Sequence, residues 1–425
     1  MHTPRYGYNE AMDIYLVGGA VRDKLLGRTA RERDWVVVGG SGKELESLGY
    51  RQVGKSFPVY LHPDTQEEYA LARTETKTGP GYHGFDVYAG EDVTLEEDLH
   101  RRDLTINAIA EDADGQLVDP WGGQADLEAG LIRHVSDAFR EDPLRVLRVA
   151  RFAASLYELG FSIAPETQTL LEEMSAGTEL EALTPERVWK ETEKALCTTR
   201  PDVYLQVLRE CGALKKVFPE IDALFGVPQP EKWHPEIDTG VHILLVMKIA
   251  AMISESIDVR FAALVHDLGK GTSDPKYWPS HRDHERRGVK LIEQLCERTG
   301  APNRCRDLAV HVARYHTHVH RAMELRPDTI LRVLKSVDAF RRPERFEEFL
   351  LACEADARGR TGLEDIPYHQ AEIMRGAFAA ARDVSNDALH EQGLKGPEFG
   401  AALEQARVDA IAASLSITRG SSEPA

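Results

Sequence analysis

The chain has little cysteine and no arrangement of it. Five cysteines in 425 residues (Cys197, Cys211, Cys296, Cys305 and Cys353) form no Cys-x-x-Cys pair and no dense framework, which excludes a disulfide scaffold and points to a reducing compartment. No apolar run is long enough to span a bilayer, and the start lacks a charged-then-apolar leader pattern, so a cytoplasmic protein without membrane contact is expected. There is no internal repeat, and no low-complexity stretch beyond the terminal Ser-Ser-Glu-Pro-Ala. Nor is there a basic excess: 52 Lys and Arg against 70 Asp and Glu give a formal net charge of −18, which taken globally argues against a nucleic-acid partner. The global figure hides a local concentration of arginine at Arg101-Arg102, at Arg145, Arg148 and Arg151, and at Arg286-Arg287. A run of charge is ordinarily a solvated face. Arg145, Arg148 and Arg151, however, recur every three residues and so lie along one face of a helix.

The length calls for more than one core. Residues 1–11 read as an extension, disordered or upstream of the natural start at Met12. Residues 12–137 alternate strand-like apolar runs (Trp35 to Val38, Tyr69 to Ala72, Leu104 to Ala110) with short helices, which predicts a head built around a mixed sheet. After Asp142-Pro143 the apolar positions turn to the helix period, predicting a helical neck and body over 138–226. The Pro-rich connector Phe225-Gly226-Val227-Pro228-Gln229-Pro230 marks a boundary before a third region at 227–340, and a helical C-terminal region with a flexible tail occupies 341–425. The fold class expected is α+β, with the strands confined to the head.

Leu16-Val17-Gly18-Gly19-Ala20-Val21-Arg22-Asp23 reads as a buried strand, a tight glycine turn and a helix whose first N–H groups face an anion, with Arg22 in the first turn beside it. Glu32 and Asp34 lie two apart at the mouth of the next apolar run, so in an extended chain both carboxylates point to one side. Paired carboxylates share divalent cations. A glycine turn beside them is the arrangement nucleotidyl transfer needs, with Mg²⁺ at the attacking hydroxyl and at the leaving pyrophosphate. A plain reading, a strand ending at a glycine turn with its acids solvated, covers an isolated Gly-Gly pair but not the pair together with the acids. The strand that begins at Glu67-Glu68 offers a third carboxylate, since alternate residues of Glu68-Tyr69-Ala70-Leu71 share a face.

These motifs continue in a fixed order: GGAVRD, the acid-x-acid pair, EEYALARTE (67–75), RRDLTINAIA (101–110), DPWGGQADLEAGLIRHV (119–135), EDPLRVLRVARFAA (141–154) and LTPERVWKE (183–191). The series resembles the bacterial class II CCA-adding tRNA nucleotidyltransferases, and the resemblance runs on through WHPEIDTGVH into a His-Asp domain, to about residue 400. It implies a small polymerase-β-like head followed by helical neck, body and His-Asp domains. It further implies template-independent addition of the tRNA 3′-terminal CCA from CTP and ATP, with Mg²⁺ held by Glu32 and Asp34. The family's usual first ligand is Asp, so Glu32 adds one methylene. The nucleotide-binding set carried over is Gly19, Arg22, Arg102, Asp142, Arg145, Arg148 and Arg151.

Asp142 accepts hydrogen bonds only and Arg145 donates only. Cytosine and adenine each present an amine donor next to a ring-nitrogen acceptor, so one Asp-Arg pair can read both and reject uracil and guanine. The same residues also suit a helix start whose acids complement the helix dipole; the resemblance, whose templating Asp and Arg match these positions, implies base reading. Arg101, Arg102, Asp103 and Asn107 could cap and salt-bridge a helix junction, whereas the resemblance implies that Arg102 touches the nucleotide and that Asp103 and Asn107 shape a ribose pocket.

The third region carries His242, then His266-Asp267 at the end of an apolar run, then Asp356, similar to the H…HD…D pattern of the His-Asp metal phosphohydrolases. A lone histidine on an apolar helix is most often a core residue; His266-Asp267-Leu268-Gly269-Lys270 is more specific. His281, His284, His311 and His316 are further candidate ligands. The resemblance implies hydrolysis of 2′,3′-cyclic phosphates and phosphomonoesters with Ni²⁺ or another transition metal. Two other classes stay open: a poly(A) polymerase, and a tRNA-binding hydrolase whose head, with Glu32, has lost activity. Oligomeric state, monomer or homodimer, is not legible.

Overall fold

A computed structural model describes residues 12–30, 32–53, 59–77, 85–391 and 393–420. The extension expected over residues 1–11 and the terminal Ser-Ser-Glu-Pro-Ala lie outside the described residues. The fold is α+β, with a seven-stranded sheet in the head and a mostly helical remainder; the strands are not confined to the head, because Ser162–Ile163 of the neck pairs in parallel with Leu131–Ile132, closing a short ladder at the start of the helical region. By packing, the chain divides into two compact units, one of residues 1–183 with 210–213, the other of residues 184–209 with 214–425.

The first unit holds the mixed sheet. Its strands are β1 (Asp13–Val17), β2 (Asp34–Val38), β3 (Arg51–Val53), β4 (Val59–Leu61) and β5 (Glu68–Leu71), followed after the hairpin β6 (Thr74–Lys77) and β7 (Phe85–Tyr88) by β8 (Ala110–Glu111) and β9 (Leu117–Val118). The seven-stranded order is β3-β4-β5-β2-β1-β8-β9. β2 runs antiparallel to β1 and parallel to β5. Successive residues of β2 serve opposite faces, as a pleated strand requires. Val37 packs with Met12, Leu45, Tyr60 and Leu71, while Val36 packs with Val17, Leu99, Ala108 and Ala110. Both faces are covered, which is why the run Trp35 to Val38 is continuously apolar.

The register puts the chemistry at one end of this sheet. Val17 pairs with Asp34, so the glycine turn after β1 opens beside the first residue of β2. At that turn Gly18 has φ +72°, and a Cβ there would lie 3.2 Å from Arg102 Nη1. Glycine alone meets both demands. The helix Leu144–Leu156 buries Leu144, Val146, Leu147, Val149, Ala150, Phe152, Ala153, Ala154 and Leu156, leaving Arg145, Arg148 and Arg151 only partly buried.

In the second unit the helices Thr239–Ile253, Ile257–Val265 and Pro343–Arg358 meet through Val246, Ile249, Ala250, Ala263 and Ala355. Asp238 caps the first of them by accepting from Val241 N at 3.0 Å, which fixes where His242 enters the core. Ser256 caps the second through Val259 N, and that helix ends at His266. Gly269 is then pressed against the start of the next long helix, His284–Thr299: a Cβ there would fall 1.9 Å from the His284 carbonyl oxygen. The Gly269 that follows His266-Asp267-Leu268 is therefore a packing requirement of the site.

Candidate active sites

In the first unit Glu32 lies just before β2 and Asp34 opens it, both exposed. Asp34 is the Cα partner of Glu68 on the parallel strand β5, so the third carboxylate expected from that strand stands beside it. Its neighbour Glu67 is engaged otherwise, accepting from Trp35 Nε1 at 2.9 Å. Among the described residues, every group of three or more converging ligand atoms lies in the second unit, and the head's Glu32, Asp34 and Glu68 are exposed at the strand ends. This suits Mg²⁺, which takes one or two protein carboxylates and completes its shell with water and phosphate oxygens.

Behind the glycine turn the arginines are held by a connected chain of hydrogen bonds. Arg22 Nη1 donates to Asn107 Oδ1 at 2.7 Å, Asn107 Nδ2 donates to Asp103 Oδ1 at 3.2 Å, and Arg148 Nε donates to Asp103 Oδ2 at 2.7 Å. Asp103 and Asn107 are each 6% exposed. They are thus placed between two arginines, Arg22 and Arg148. Burial pushes the Asp103 carboxyl up, but the Arg148 charge, the Asn107 hydrogen bond and Arg145 outweigh it and hold the group well below the ordinary carboxylate range. Arg22, Arg148 and Arg151 all stand over the Phe152 ring, with their guanidinium carbons 5.1, 5.6 and 4.0 Å from its centroid.

Arg102 donates to Asp98 Oδ2 at 3.1 Å, and its Nε is buried without a partner near the glycine turn. Asp98, fully buried, also accepts from Arg101 Nη2 at 2.5 Å. Asp98 was not singled out from the sequence, although its spacing of three and four from Arg101 and Arg102 is the helical ion-pair signal. Asp142 Oδ1 accepts from Leu144 N at 3.1 Å, a helix-start contact. Arg145 does not join Arg148 and Arg151: it donates to the Ala138 and Arg101 carbonyls at 2.9 and 2.5 Å, over Phe139. The helical spacing put three arginines on one face; the Ala138 and Arg101 backbone carbonyls, outside that helix, draw the first of them aside.

The second unit brings His242, His266, Asp267 and Asp356 together and adds His284, His316 and His320. Asp356 Oδ1 is 3.1 Å from His242 Nε2, and its Oδ2 is 3.5 and 2.6 Å from His266 and His320 Nε2. Asp267 Oδ2 is 3.2 Å from His266 Nε2, and its Oδ1 is 3.4 and 3.6 Å from His284 and His316 Nε2. In four of these rings Nδ1 faces a backbone carbonyl: Gly359 O for His242, Ala263 O for His266, His281 O for His284 and Val312 O for His316. A carbonyl only accepts, so Nδ1 carries a proton and Nε2, turned inward toward the acids, is the nitrogen left for a metal. His266 Nε2, His284 Nε2 and both Asp267 oxygens are buried without a hydrogen-bond partner. Lys270 Nζ lies 2.6 Å from Asp267 Oδ2 as an ion pair.

Burial opposes a charge on His266, but the carboxylates of Asp267 and Asp356 outweigh it and push the imidazole up to about 10. Burial likewise opposes ionisation of Asp267 and Asp356, yet the facing histidines, with Lys270 at Asp267, hold both well below the ordinary range. Two ionised acids ringed by imidazole Nε2 atoms fit a borderline divalent cation, which would take the place of the proton on His266.

His281 stays outside this set, its Nε2 2.9 Å from Pro228 O, and contributes the carbonyl that orients His284. His311 is elsewhere, in a second cavity with Arg306 and Arg345. His320 was missed, though its i,i+4 spacing from His316 on the helix Asn303–His320 is legible. Glu236 was missed as well; its Oε1 lies 3.0 Å from Nδ1 of both His234 and His242.

Comparisons with known proteins agree with this division of chemistry. The poly A polymerase head domain model matches residues 14–133, the probable RNA and SrmB-binding site of polymerase A matches 160–225, and the HD domain matches 239–343. The multifunctional CCA protein of Thioalkalivibrio sulfidiphilus is 61% identical over 94% of this chain and 98% of its own length. Those of Nitrosococcus oceani and Vibrio campbellii are 60% and 57% identical, covering 96% and 95% of this chain and all of their own. Among solved structures, an apo CCA-adding enzyme shares the fold at TM-score 0.66 and 21% identity, covering 97% of this chain and 92% of that one. The Thermotoga maritima CCA-adding enzyme complexed with tRNA does so at 0.63 and 20%, with the same coverage.

Proposed function

We propose, from the premise that the chain belongs to the multifunctional CCA protein family, that it builds and repairs the 3′-terminal CCA of tRNA from CTP and ATP and carries a second, metal-dependent phosphohydrolase site. Three relatives at 57–61% identity over nearly the whole chain carry the first half of this reading. They also favour it over a poly(A) polymerase or a hydrolase with an inactive head. The chain so read works in the cytoplasm; no helix among the described residues is long and apolar enough to cross a membrane.

In the head, Glu32 and Asp34 would hold Mg²⁺, which supplies charge neutralisation at the attacking hydroxyl and the pyrophosphate. The glycine turn at Gly18-Gly19 leaves backbone N–H groups at the start of the helix Gly19–Leu25 for the triphosphate. Arg22 and Arg148, joined through Asn107 and Asp103, meet it as a preset cationic wall beside Arg151 and Arg102, so little ordering cost remains when the nucleotide arrives. Asp142 and Arg145 read the base. The two carbonyl contacts of Arg145 fix its plane and leave further guanidinium donors for a base edge.

The hydrolase half rests on the ring of imidazole Nε2 atoms around Asp267 and Asp356. His242, His266, Asp267 and Asp356, with His284 and His316, would hold Ni²⁺ or another transition divalent ion, which supplies Lewis acidity at a phosphoryl oxygen and an acidified water. Backbone carbonyls orient the four rings, and Lys270 adds a cation at Asp267. The substrates proposed are 2′,3′-cyclic phosphates and phosphomonoesters.

The test is incubation of tRNA lacking its last three nucleotides with each nucleoside triphosphate singly and in mixture, followed by sequencing of the 3′ end. Addition of C, C and A, ending there, is the expected result. Long A tracts from ATP alone, or no incorporation, would reject the assignment.

A further inference from the structure

Of the ligand-bearing groups, His284, His316, His320 and Asp356 form the floor of a cavity of about 980 Å³, of the size that binds small molecules. Binding a bare phosphate needs little more than that floor. The remaining wall is of another kind, with Trp233 at its rim and Ile366 and Leu363 adding apolar surface. Trp233 is 59% exposed, an indole left in water although its neighbour Lys232 covers part of it, with Nζ 4.6 Å from the ring centroid. Lys232 does not line the cavity.

Arg360 links this rim to the floor. Its Nη1 reaches the Trp233 carbonyl oxygen and its Nη2 reaches Asp356 Oδ1, each at the long distance of 3.4 Å, while Nε is buried with no partner. A guanidinium held by two long contacts with a buried, unused donor is short of an acceptor, and a phosphate oxygen is the acceptor its fork fits best. Glu236 sets the spacing: its Oε1 meets His242 Nδ1 at 3.0 Å and its Oε2 accepts from Thr361 N at 3.3 Å. The loop bearing Trp233, the residue after Arg360 and one ring of the metal-binding set therefore share one carboxylate.

We propose that Trp233 and Arg360 are the recognition pair of this site, with the indole stacking on a nucleobase and the guanidinium holding the phosphate ester. The ligand is thus a nucleoside phosphate or the terminal nucleotide of an RNA, in preference to a phosphate ester without a base. The assignment rests on reading the site as a phosphohydrolase, and it makes Trp233 and Arg360 specificity determinants of that reaction.

The full-length protein loaded with Mn²⁺ or Ni²⁺ is assayed on adenosine 2′,3′-cyclic phosphate, on the base-free methyl riboside 2′,3′-cyclic phosphate, and on a short RNA ending in a 2′,3′-cyclic phosphate. Binding of 3′-AMP is measured by calorimetry on the same preparations. Trp233→Ala should lower the ratio of kcat/KM for the adenosine ester over the base-free ester about tenfold, the size of one base–aromatic stack, and Trp233→Phe should restore most of it. Arg360→Ala should weaken all three substrates together, and Arg360→Lys should not rescue because an ammonium lacks the fork. A larger Trp233→Ala effect on the RNA than on the mononucleotide marks an RNA end as the ligand; equal effects mark the free nucleotide. If the wild type hydrolyses nothing yet binds 3′-AMP through Trp233, the hydrolase reading falls and the recognition pair stands. If hydrolysis is present while Trp233→Ala leaves the substrate ratio and 3′-AMP binding within twofold, the recognition pair falls and the hydrolase reading stands. Loss of bound metal from Trp233→Ala, seen by elemental analysis, would also overturn the pair.

Discussion

Asp103→Asn separates an arginine anchor from a ribose contact. The substitution keeps the shape of a side chain that is 7% exposed and keeps an oxygen for Asn107, but removes the charge facing Arg148, whose guanidinium lies 2.7 Å away. Breaking a buried ion pair costs about 3–5 kcal/mol. Arg148 is 33% exposed, so water screens part of the loss and about 2–3 kcal/mol is the better expectation. For a unit of this size that corresponds to a fall of roughly 5–10 °C in its melting temperature. The pH dependence carries the same sign. The folded carboxyl lies below its unfolded value, so its contribution is complete above about pH 4 and is lost as pH falls further; in Asp103→Asn this part of the acid sensitivity should vanish. Because Arg148 loses its fixed position, KM should rise for CTP and ATP alike, and for their 2′-deoxy forms in the same proportion. The assay is thermal unfolding with and without CTP, together with single-nucleotide incorporation kinetics. Stability within 1 kcal/mol of wild type, with discrimination against 2′-deoxy-CTP relaxed, would refute the anchor and restore Asp103 to a ribose pocket.

Gly18→Ala should destabilise the head by about 1–2 kcal/mol and raise KM for both triphosphates, since the new Cβ needs a left-handed φ and lies 3.2 Å from Arg102 Nη1; a neutral melting curve would refute it. Asp142→Ala should erode the preference for CTP over UTP while triphosphate binding, measured with a non-reactive analogue, changes less than threefold; an unchanged preference removes Asp142 from base reading. His311, lowered to about 4 by burial and by Arg345, binds its proton less readily folded than unfolded, so it reduces stability as pH falls from about 6.5 toward 4. His311→Gln should flatten that slope by up to about 2 kcal/mol in urea unfolding, and an unaltered slope contradicts the assignment.

The sequence made the local devices of both sites legible. The glycine turn, the acid-x-acid pair ahead of β2 and His266-Asp267 at a helix end were each readable because their meaning depends on neighbours one to four residues away. Side-chain fate at long range was not. Arg145, Arg148 and Arg151 share a helical face, but nothing in their spacing says that Arg145 turns to the Ala138 and Arg101 carbonyls while the other two stand over Phe152. Asp103 and Asn107 allowed a ribose pocket or a salt bridge, and their spacing says nothing of Arg148 and Arg22, their partners 45 and 85 residues away. In the second unit, His281, His284, His311 and His316 were equivalent as letters. The approach of Gly269 to the His284 backbone selects His284, and the helix Asn303–His320 turns His316 and His320 inward while His311 reaches another cavity.

The proposed function gives one chain two chemically independent sites. It is tested most directly by assaying wild type, Asp34→Ala and His266→Ala side by side, with Mg²⁺ for CMP and AMP transfer to tRNA and with Mn²⁺ or Ni²⁺ for hydrolysis of a 2′,3′-cyclic phosphate. Asp34→Ala should lose transfer and keep hydrolysis, and His266→Ala should do the reverse. CMP transfer by Asp34→Ala at the wild-type rate, or loss of both activities from either folded variant, would contradict it.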